Sequence, residues 1–336
     1  MTRKTVQITR RAFSGSLAAL PLAAGGLIGL AAPAIGQTKY PNNPVTIVLP
    51  FGAGGMADVS TRIVADKIGQ KLGQRFVIEN KPGAGGITAV RAVTSAPPDG
   101  YTLGLATNGT SITVALFKSL PFDVAKQFDT ISMVGTFELV LIVAENSPYK
   151  TLKDFIDAAK AQPGKLNVGT VNVGSTQNLG AELFKSMAHL NFQIVPHRTT
   201  PDLVVGLLRN DIQLVVDFPA AVKGFLNDKK VRALGTSGNK RSVGLPDVPT
   251  VAEAGVPGYE VLSWNGFFGP AGMPKDVIET INKAMREVLA EDAVKKRLAT
   301  LGVEAKASSP EELKKRMLDD VTKWADVIEK AHIPKQ

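Results

Sequence analysis

The sequence predicts an α/β chain folded as two lobes with a ligand cleft between them, and three observations carry that expectation. From Val45 onward, short β-branched runs alternate with amphipathic stretches of helical period, the pattern of βαβ units on largely parallel sheets. Beyond an apolar N-terminal stretch about 300 residues remain, more than one hydrophobic core usually organises. Segments 45–80 and 166–195 also echo each other, both reading strand, Gly-rich turn, helix, strand, without detailed identity.

The first element is not part of that fold. Arg3, Lys4, Arg10 and Arg11 precede any acidic residue, and an apolar, Gly- and Ala-rich stretch over 17–32 follows. Pro21, Gly25 and Gly26 interrupt that stretch, which falls short of a membrane span, and small residues at Ala32, Ala34 and Gly36 offer a cleavage site. This is the layout of a secretory signal over 1–36, and the paired arginines suggest the twin-arginine route to the periplasm.

The first lobe is expected to open with a strand over 45–50, a helix over 58–72, a strand over 76–79, a second glycine turn, a helix over 87–95 and a strand over 101–106. Segment 131–144 is long, apolar and free of turn signals, which makes it a candidate hinge strand between lobes. A second series follows, with helices over 152–161, 176–187, 201–209 and 218–226 and strands over 166–170, 192–196, 212–218 and 231–236. A strand over 260–269 then returns the chain to the first lobe, where helices over 275–289, 293–301 and 310–330 are expected to pack. The lobes so drawn are 38–137 with 262–336, and 138–261.

Composition narrows the chemistry. The 336 residues contain no cysteine, which removes disulfides, thiolate nucleophiles and sulfur ligation, and the three histidines show no metal-ligand spacing. The net charge of +9 falls once the basic N-terminus is removed, and the remaining Lys and Arg are scattered along amphipathic helices, so nucleic acid is not an expected partner.

Two turns carry the functional expectation. In Phe51-Gly52-Ala53-Gly54-Gly55-Met56-Ala57-Asp58, glycines let the backbone turn sharply and admit a ligand close to its N–H groups. Those groups begin a helix, where the first four N–H have no internal partner and the dipole favours an anion. The plainer alternative is that the glycines only make a turn and Asp58 only caps the helix. In the second lobe Gly174, Ser175, Thr176 and Asn178 occupy the corresponding place, with Ser175 or Thr176 as alternative N-caps. Strand ends facing a common cleft would bring both helix starts to one ligand.

Five strings resemble the Bug family, the substrate-binding receptors of tripartite tricarboxylate transporters. They are PFGAGGMAD at 50–58, ENKPGAGG at 79–86, PDGYTL at 98–103, LPDVPTVAEAG at 245–255 and GPAGMP at 269–274. The resemblance implies a type II periplasmic-binding-protein fold of the Venus-flytrap kind, taking a small carboxylate and using no cofactor. It implies ligand contacts from Phe51 to Gly55, from Ser175, Thr176 and Asn178, from the strand-end loop Thr107-Asn108, and from Asp217. Asp58, Gly174 and His197 complete the candidate set. The chain departs from the family where Pro196-His197-Arg198-Thr199 replaces Pro-Tyr-Lys-Gly and where Asn178 stands for a frequent His. Arg198 is a candidate for a distal carboxylate, and Phe137, Phe218 and Trp264 are read either as pocket walls or as core.

The expected receptor is monomeric, with permease subunits as partner; a membrane sensor kinase is the alternative. The enzymatic rival is an NAD(P)-dependent oxidoreductase, since 52–57 fits G-x-G-x-x-A after a strand and Glu79 lies near the position of a ribose-binding acid. Against it, the second lobe shows no hydride-transfer partner.

Overall fold

The computed structural model describes residues 40–171 and 173–336; the expected signal segment lies outside them. In chain order the elements are β1 (Val45–Leu49), α1 (Met56–Leu72), β2 (Phe76–Asn80), α2 (Ile87–Thr94), β3 (Thr102–Thr107), α3 (Asn108–Leu116), α4 (Val124–Gln127), β4 (Phe128–Glu138) and β5 (Val140–Ala144). There follow α5 (Leu152–Ala161), β6 (Asn167–Val171), α6 (Thr176–Met187), β7 (Gln193–His197), α7 (Thr200–Leu208), β8 (Leu214–Asp217), α8 (Pro219–Asn227) and β9 (Val231–Thr236). The chain ends with β10 (Leu262–Pro270), α9 (Lys275–Ala290), α10 (Asp292–Thr300), β11 (Glu304–Ala305) and α11 (Pro310–Lys330).

Two sheets result. The first has the order β11-β4-β10-β3-β1-β2 and the second β7-β6-β8-β5-β9. Helices cover both faces of each, so the inner strands are apolar on both sides. In β1, Val45, Ile47 and Leu49 meet α1, α9 and α10, while Val48 points to the α2 and α11 side. In β5, Leu141 and Val143 meet α5 and α6, and Val140 and Ile142 meet α7 and α8.

The long apolar segment is two strands in two sheets, parted by Leu139 alone. The return crossing lies beside it. Ser237 follows β9 and Val261 precedes β10, and the two crossings are laced together: the N–H of Leu139 donates to Ser237 Oγ (2.7 Å), whose hydroxyl donates to the Val261 carbonyl. The Ser237 N–H donates to the Leu139 carbonyl (2.9 Å) and the Val261 N–H to the Ser237 carbonyl (2.8 Å).

Two features differ from the sequence expectation. The strand-end loop at Thr107-Asn108 is the start of a helix, α3, closed by a capping box between Thr107 and Thr110. Its β-branched residues and Gly109 have low helix propensity, and seven of its nine residues are buried, so tertiary packing rather than local preference makes it helical. The last helix does not pack on the first lobe alone. Leu313 and Met317 of α11 join the core of the first sheet, whereas Trp324, Val327 and Ile328 join that of the second. Along the way, Arg316 donates to the carbonyl of Leu262 (2.8 Å), Lys323 to that of Glu260 (2.6 Å), and Trp264 to Asp320 (2.6 Å), so α11 straps the return crossing.

Replacing Ser237 with alanine strands the buried Leu139 N–H. We expect a loss of about 1–3 kcal/mol in urea unfolding; an unchanged midpoint would show that the crossing does not depend on this hydroxyl.

Candidate functional site

Strand direction locates the cleft. β1 and β3 are parallel, so their ends at Leu49 and Thr107 share one edge of the first sheet. β10 runs the other way and sets Asn265 beside Thr107 and Leu262 beside Glu138, so the crossings leave from that same edge. In the second sheet, Val140 pairs with Asp217 and with Thr236. The ends of β8 and β9, and of β6 parallel to β8, therefore lie where β5 enters from the crossing. Each sheet turns its strand C-termini toward the other.

On the first lobe, Phe51 to Gly55 are solvent-exposed. Gly54 has φ +88°, a left-handed conformation that side chains rarely adopt, and a Cβ at Gly52, Gly54 or Gly55 would meet open space. Gly55 is the N-cap of α1, in extended conformation, and brings no side chain to close the helix. The N–H groups of Gly52, Ala53 and Gly55 bond to nothing among the described residues, and those at the start of α1 have no intrahelical partner.

Asp58 sits beneath this turn, 2 % exposed. Its Oδ2 accepts the Gly54 N–H (2.9 Å) and Arg62 Nε (3.0 Å); its Oδ1 accepts Arg62 Nη2 (2.9 Å) and Asn80 Nδ2 (3.0 Å). Asn80 also donates to the Phe51 carbonyl (2.9 Å). The Arg62 guanidinium, helped by the Gly54 amide and Asn80 against the cost of burial, holds the Asp58 carboxyl down at about 2. Both oxygens are thus committed to the turn itself, and Asp58 positions the glycine loop. It does not cap α1, since Gly55 takes that place.

The second-lobe turn is closed by its own side chains. Ser175 Oγ accepts the Asn178 N–H (3.1 Å), and Asn178 Oδ1 accepts the Gly174 N–H (3.1 Å). Thr176 Oγ1 accepts from Asn108 Nδ2 (3.0 Å), a bond from α3 to α6 that crosses between the lobes. Asn108 in turn accepts from Trp324 Nε1 (2.8 Å). The N–H groups of Thr176 and Gln177, at the first two positions of α6, have no intrahelical partner and no side-chain cap among the described residues.

Asp217, 1 % exposed, joins three helix starts. It accepts from Gln177 Nε2 of α6 (3.0 Å), from Thr200 Oγ1 of α7 (2.6 Å) and from the N–H of Phe218, the N-cap of α8 (2.7 Å). His197 ends the edge strand β7, half-buried, with Nδ1 3.0 Å from the Val195 carbonyl; Arg198 beyond it is exposed. Phe137 and Phe218 meet edge to face across the crossing, with ring centroids 5.2 Å apart. Trp264 is fully buried core.

The structure brings together Phe51 to Gly55 and Asp58 on one strand-end edge, with Thr107 and Asn108 on it too. Gly174 to Asn178 and Asp217 gather on the other, and His197 stands at its margin. Gln177, Thr200, Arg62 and Asn80, which hold these groups, were not singled out in the sequence; each is an ordinary polar residue with no motif of its own. Two surface grooves of about 600 Å³ lie elsewhere, one between α1 and β2, the other between α6 and the end of α11. Neither touches the facing strand ends. Glu79, the acid a dinucleotide reading would aim at a ribose, pairs instead with Lys81 (3.1 Å).

Comparison with known proteins identifies the family. Residues 60–333 match the model of the tripartite tricarboxylate transporter family receptor. BugT of Bordetella pertussis is 30% identical over 302 residues, covering 89% of this chain and 92% of that protein. An R. palustris structure with adipate superposes with a TM-score of 0.77 at 31% identity, over 88% of this chain and 99% of that one. MatC from Rhodopseudomonas palustris with bound malate gives 0.72 at 30% identity, over 86% and 100%. The chain belongs to the tripartite tricarboxylate transporter receptor family, whose members are periplasmic solute-binding receptors with a two-lobe α/β fold.

Proposed function

We propose that this receptor captures a small carboxylate between the strand-end edges of its two lobes and presents it to the permease subunits of a tripartite tricarboxylate transporter. The observation that carries the reading is the open start of α1, a cluster of unpaired main-chain donors that buried Asp58 holds in place. That relatives of this fold are described with adipate and with malate supports the ligand class. The protein acts by binding, without a chemical step. It reaches the periplasm by a twin-arginine signal at 1–36 and works as a monomer, with 38–137 and 262–336 forming one lobe and 138–261 the other.

The ligand's inner carboxylate docks first on the N–H groups of Gly52, Ala53, Gly55 and the first turn of α1. The main chain of Thr176 and Gln177 adds donors when the lobes close, and this differential contact shifts the population to the closed form. Each bond to the charged group contributes roughly 1.5–3 kcal/mol. Three or four sustain micromolar binding, about 8 kcal/mol, once association costs are met. Ser175, Asn178 and Thr176 shape the second tip through the bonds described above, and Thr107 and Asn108 align α3 behind it. Asp58 and Asp217 act as positioning groups, and His197 forms a polar wall.

Gly55→Val tests the site. Its backbone is extended and its Cβ would meet open space, so the apo melting temperature should stay within a degree or two while an isopropyl group screens the donors. Calorimetry with adipate and malate should show affinity reduced at least tenfold; wild-type affinity would contradict the assignment.

Asp58→Asn tests the brace. Because the folded-state carboxyl is depressed to about 2, below its unfolded value near 3.9, its stabilisation is full above pH 4 and is lost as pH falls through 2. The variant should melt lower than wild type at pH 7, and the gap should shrink as pH drops from 4 to 2. A gap independent of pH would mean that the carboxylate charge does not hold the turn.

A further inference from the structure

Among the described residues, three buried side-chain nitrogen or oxygen atoms have no hydrogen-bonding partner: Arg232 Nη1, Thr236 Oγ1 and Asn265 Nδ2. Arg232 already uses its other nitrogen on Glu145, and Thr236 lies at the crossing, away from the glycine turn. Asn265 stands differently. It is 2 % exposed and occupies β10 opposite Thr107, the last residue of β3, at the edge facing the second lobe.

The register also fixes its face. Across an antiparallel pair, partners point to the same side. Ser263 pairs with Phe137 and Asn265 with Gly135 and Thr107, so Asn265 shares a side with Phe137 and, two residues back along β3, with Leu105. Phe137 and Leu105 belong to the core under α1. Met56 and Ala57, the first residues of α1, pack on that core, as does Phe218 of the second lobe. The Asn265 side chain therefore shares the α1 face of the first sheet and stands at the edge where the lobes meet. The pairing of β10 with β4 shifts register between Asn265 and Gly266, and such bulges re-aim side chains beside binding sites.

We propose that Asn265 is a specificity residue of this receptor: its Nδ2 donates to an oxygen on the second polar group of a two-ended acid, while the amides above it hold the first carboxylate. The inference rests on the carboxylate-receptor reading and adds to it a residue and a requirement on the ligand. An amide kept without a partner in a buried position is a standing cost. An apolar residue of similar size would remove that cost if packing were the only role. A ligand oxygen arriving from the cleft supplies the missing acceptor. A neutral donor suits the task, since it reads a carboxylate, hydroxyl or carbonyl oxygen without adding a buried charge.

The test compares wild type with Asn265→Leu, which keeps the number and branching of side-chain heavy atoms without their polarity, and Asn265→Asp, which keeps the volume. Thermal shift and calorimetry use matched pairs, adipate against hexanoate and succinate against butyrate, with malate as a hydroxy diacid. We expect Asn265→Leu to melt, without ligand, at or above wild type and to bind the preferred diacid roughly tenfold more weakly, with the response to its one-ended partner unchanged. Asn265→Asp should lose the diacid more severely, by charge repulsion. The inference is overturned if Asn265→Leu lowers the apo melting temperature by several degrees while the diacid preference persists, or if both variants keep wild-type preference. A wild type that binds hexanoate or butyrate as well as the diacids overturns this inference while leaving the receptor reading in place. A wild type that responds to none of the acids overturns both.

Discussion

Everything at this site depends on two sheets meeting at their strand C-termini, and that arrangement is held by a few main-chain bonds around Ser237. Leu139 separates β4 from β5 by a single residue, so neither sheet can move far from the other at that point. Because parallel strands put all their C-terminal turns on one edge, fixing the crossings at that edge determines which loops share the cleft. α11 reinforces the same line by bonding Glu260 and Leu262 and by burying residues in both lobes. α11 thus ties both cores to the return crossing, and the proposed closure would have to repack it or bend about it.

The two facing tips are built differently. The α1 tip has a glycine N-cap and spends its nearby carboxylate on the loop below, leaving donors outward. The α6 tip is capped by Ser175 and tied to the other lobe through Thr176 and Asn108. On the proposed reading, the first tip receives the anion and the second completes its shell. Asp217 braces the second tip as Asp58 braces the first, accepting donors from three helix starts.

Much of this is legible in the sequence, and the reason is local. Strands such as Val45–Leu49 and Leu214–Val216 are β-branched and apolar, and the glycine turn after β1 and the Gly174-Ser175 turn after β6 carry residues suited to a helix start. What escapes is decided by tertiary contact. In α3, Thr110, Ile112, Thr113 and Val114 disfavour a helix locally, yet burial between lobes makes one. The amphipathic period of α11 shows that it has a buried face but not that two different cores share it. The partners of Asp58 and Asp217 are equally silent, because Asn80, Gln177 and Thr200 become meaningful only once the fold brings them within 3 Å of a carboxylate.

The proposed recognition by amides rather than cations follows from the same economy of charge. A lysine or arginine set in the cleft would be desolvated on closure and would need its own counter-ion while the site stood empty. Arg62, the cation nearest the first turn, is instead consumed by Asp58, and the pair is neutral as a unit. Oriented main-chain dipoles need no such neutralisation, because their orientation is already set by the helix and by the turn. A site of this kind stays stable without a trapped ion while it stands empty. For a site of this proposed kind, affinity is set by how many donors converge on the acid, and selectivity by what its far end meets.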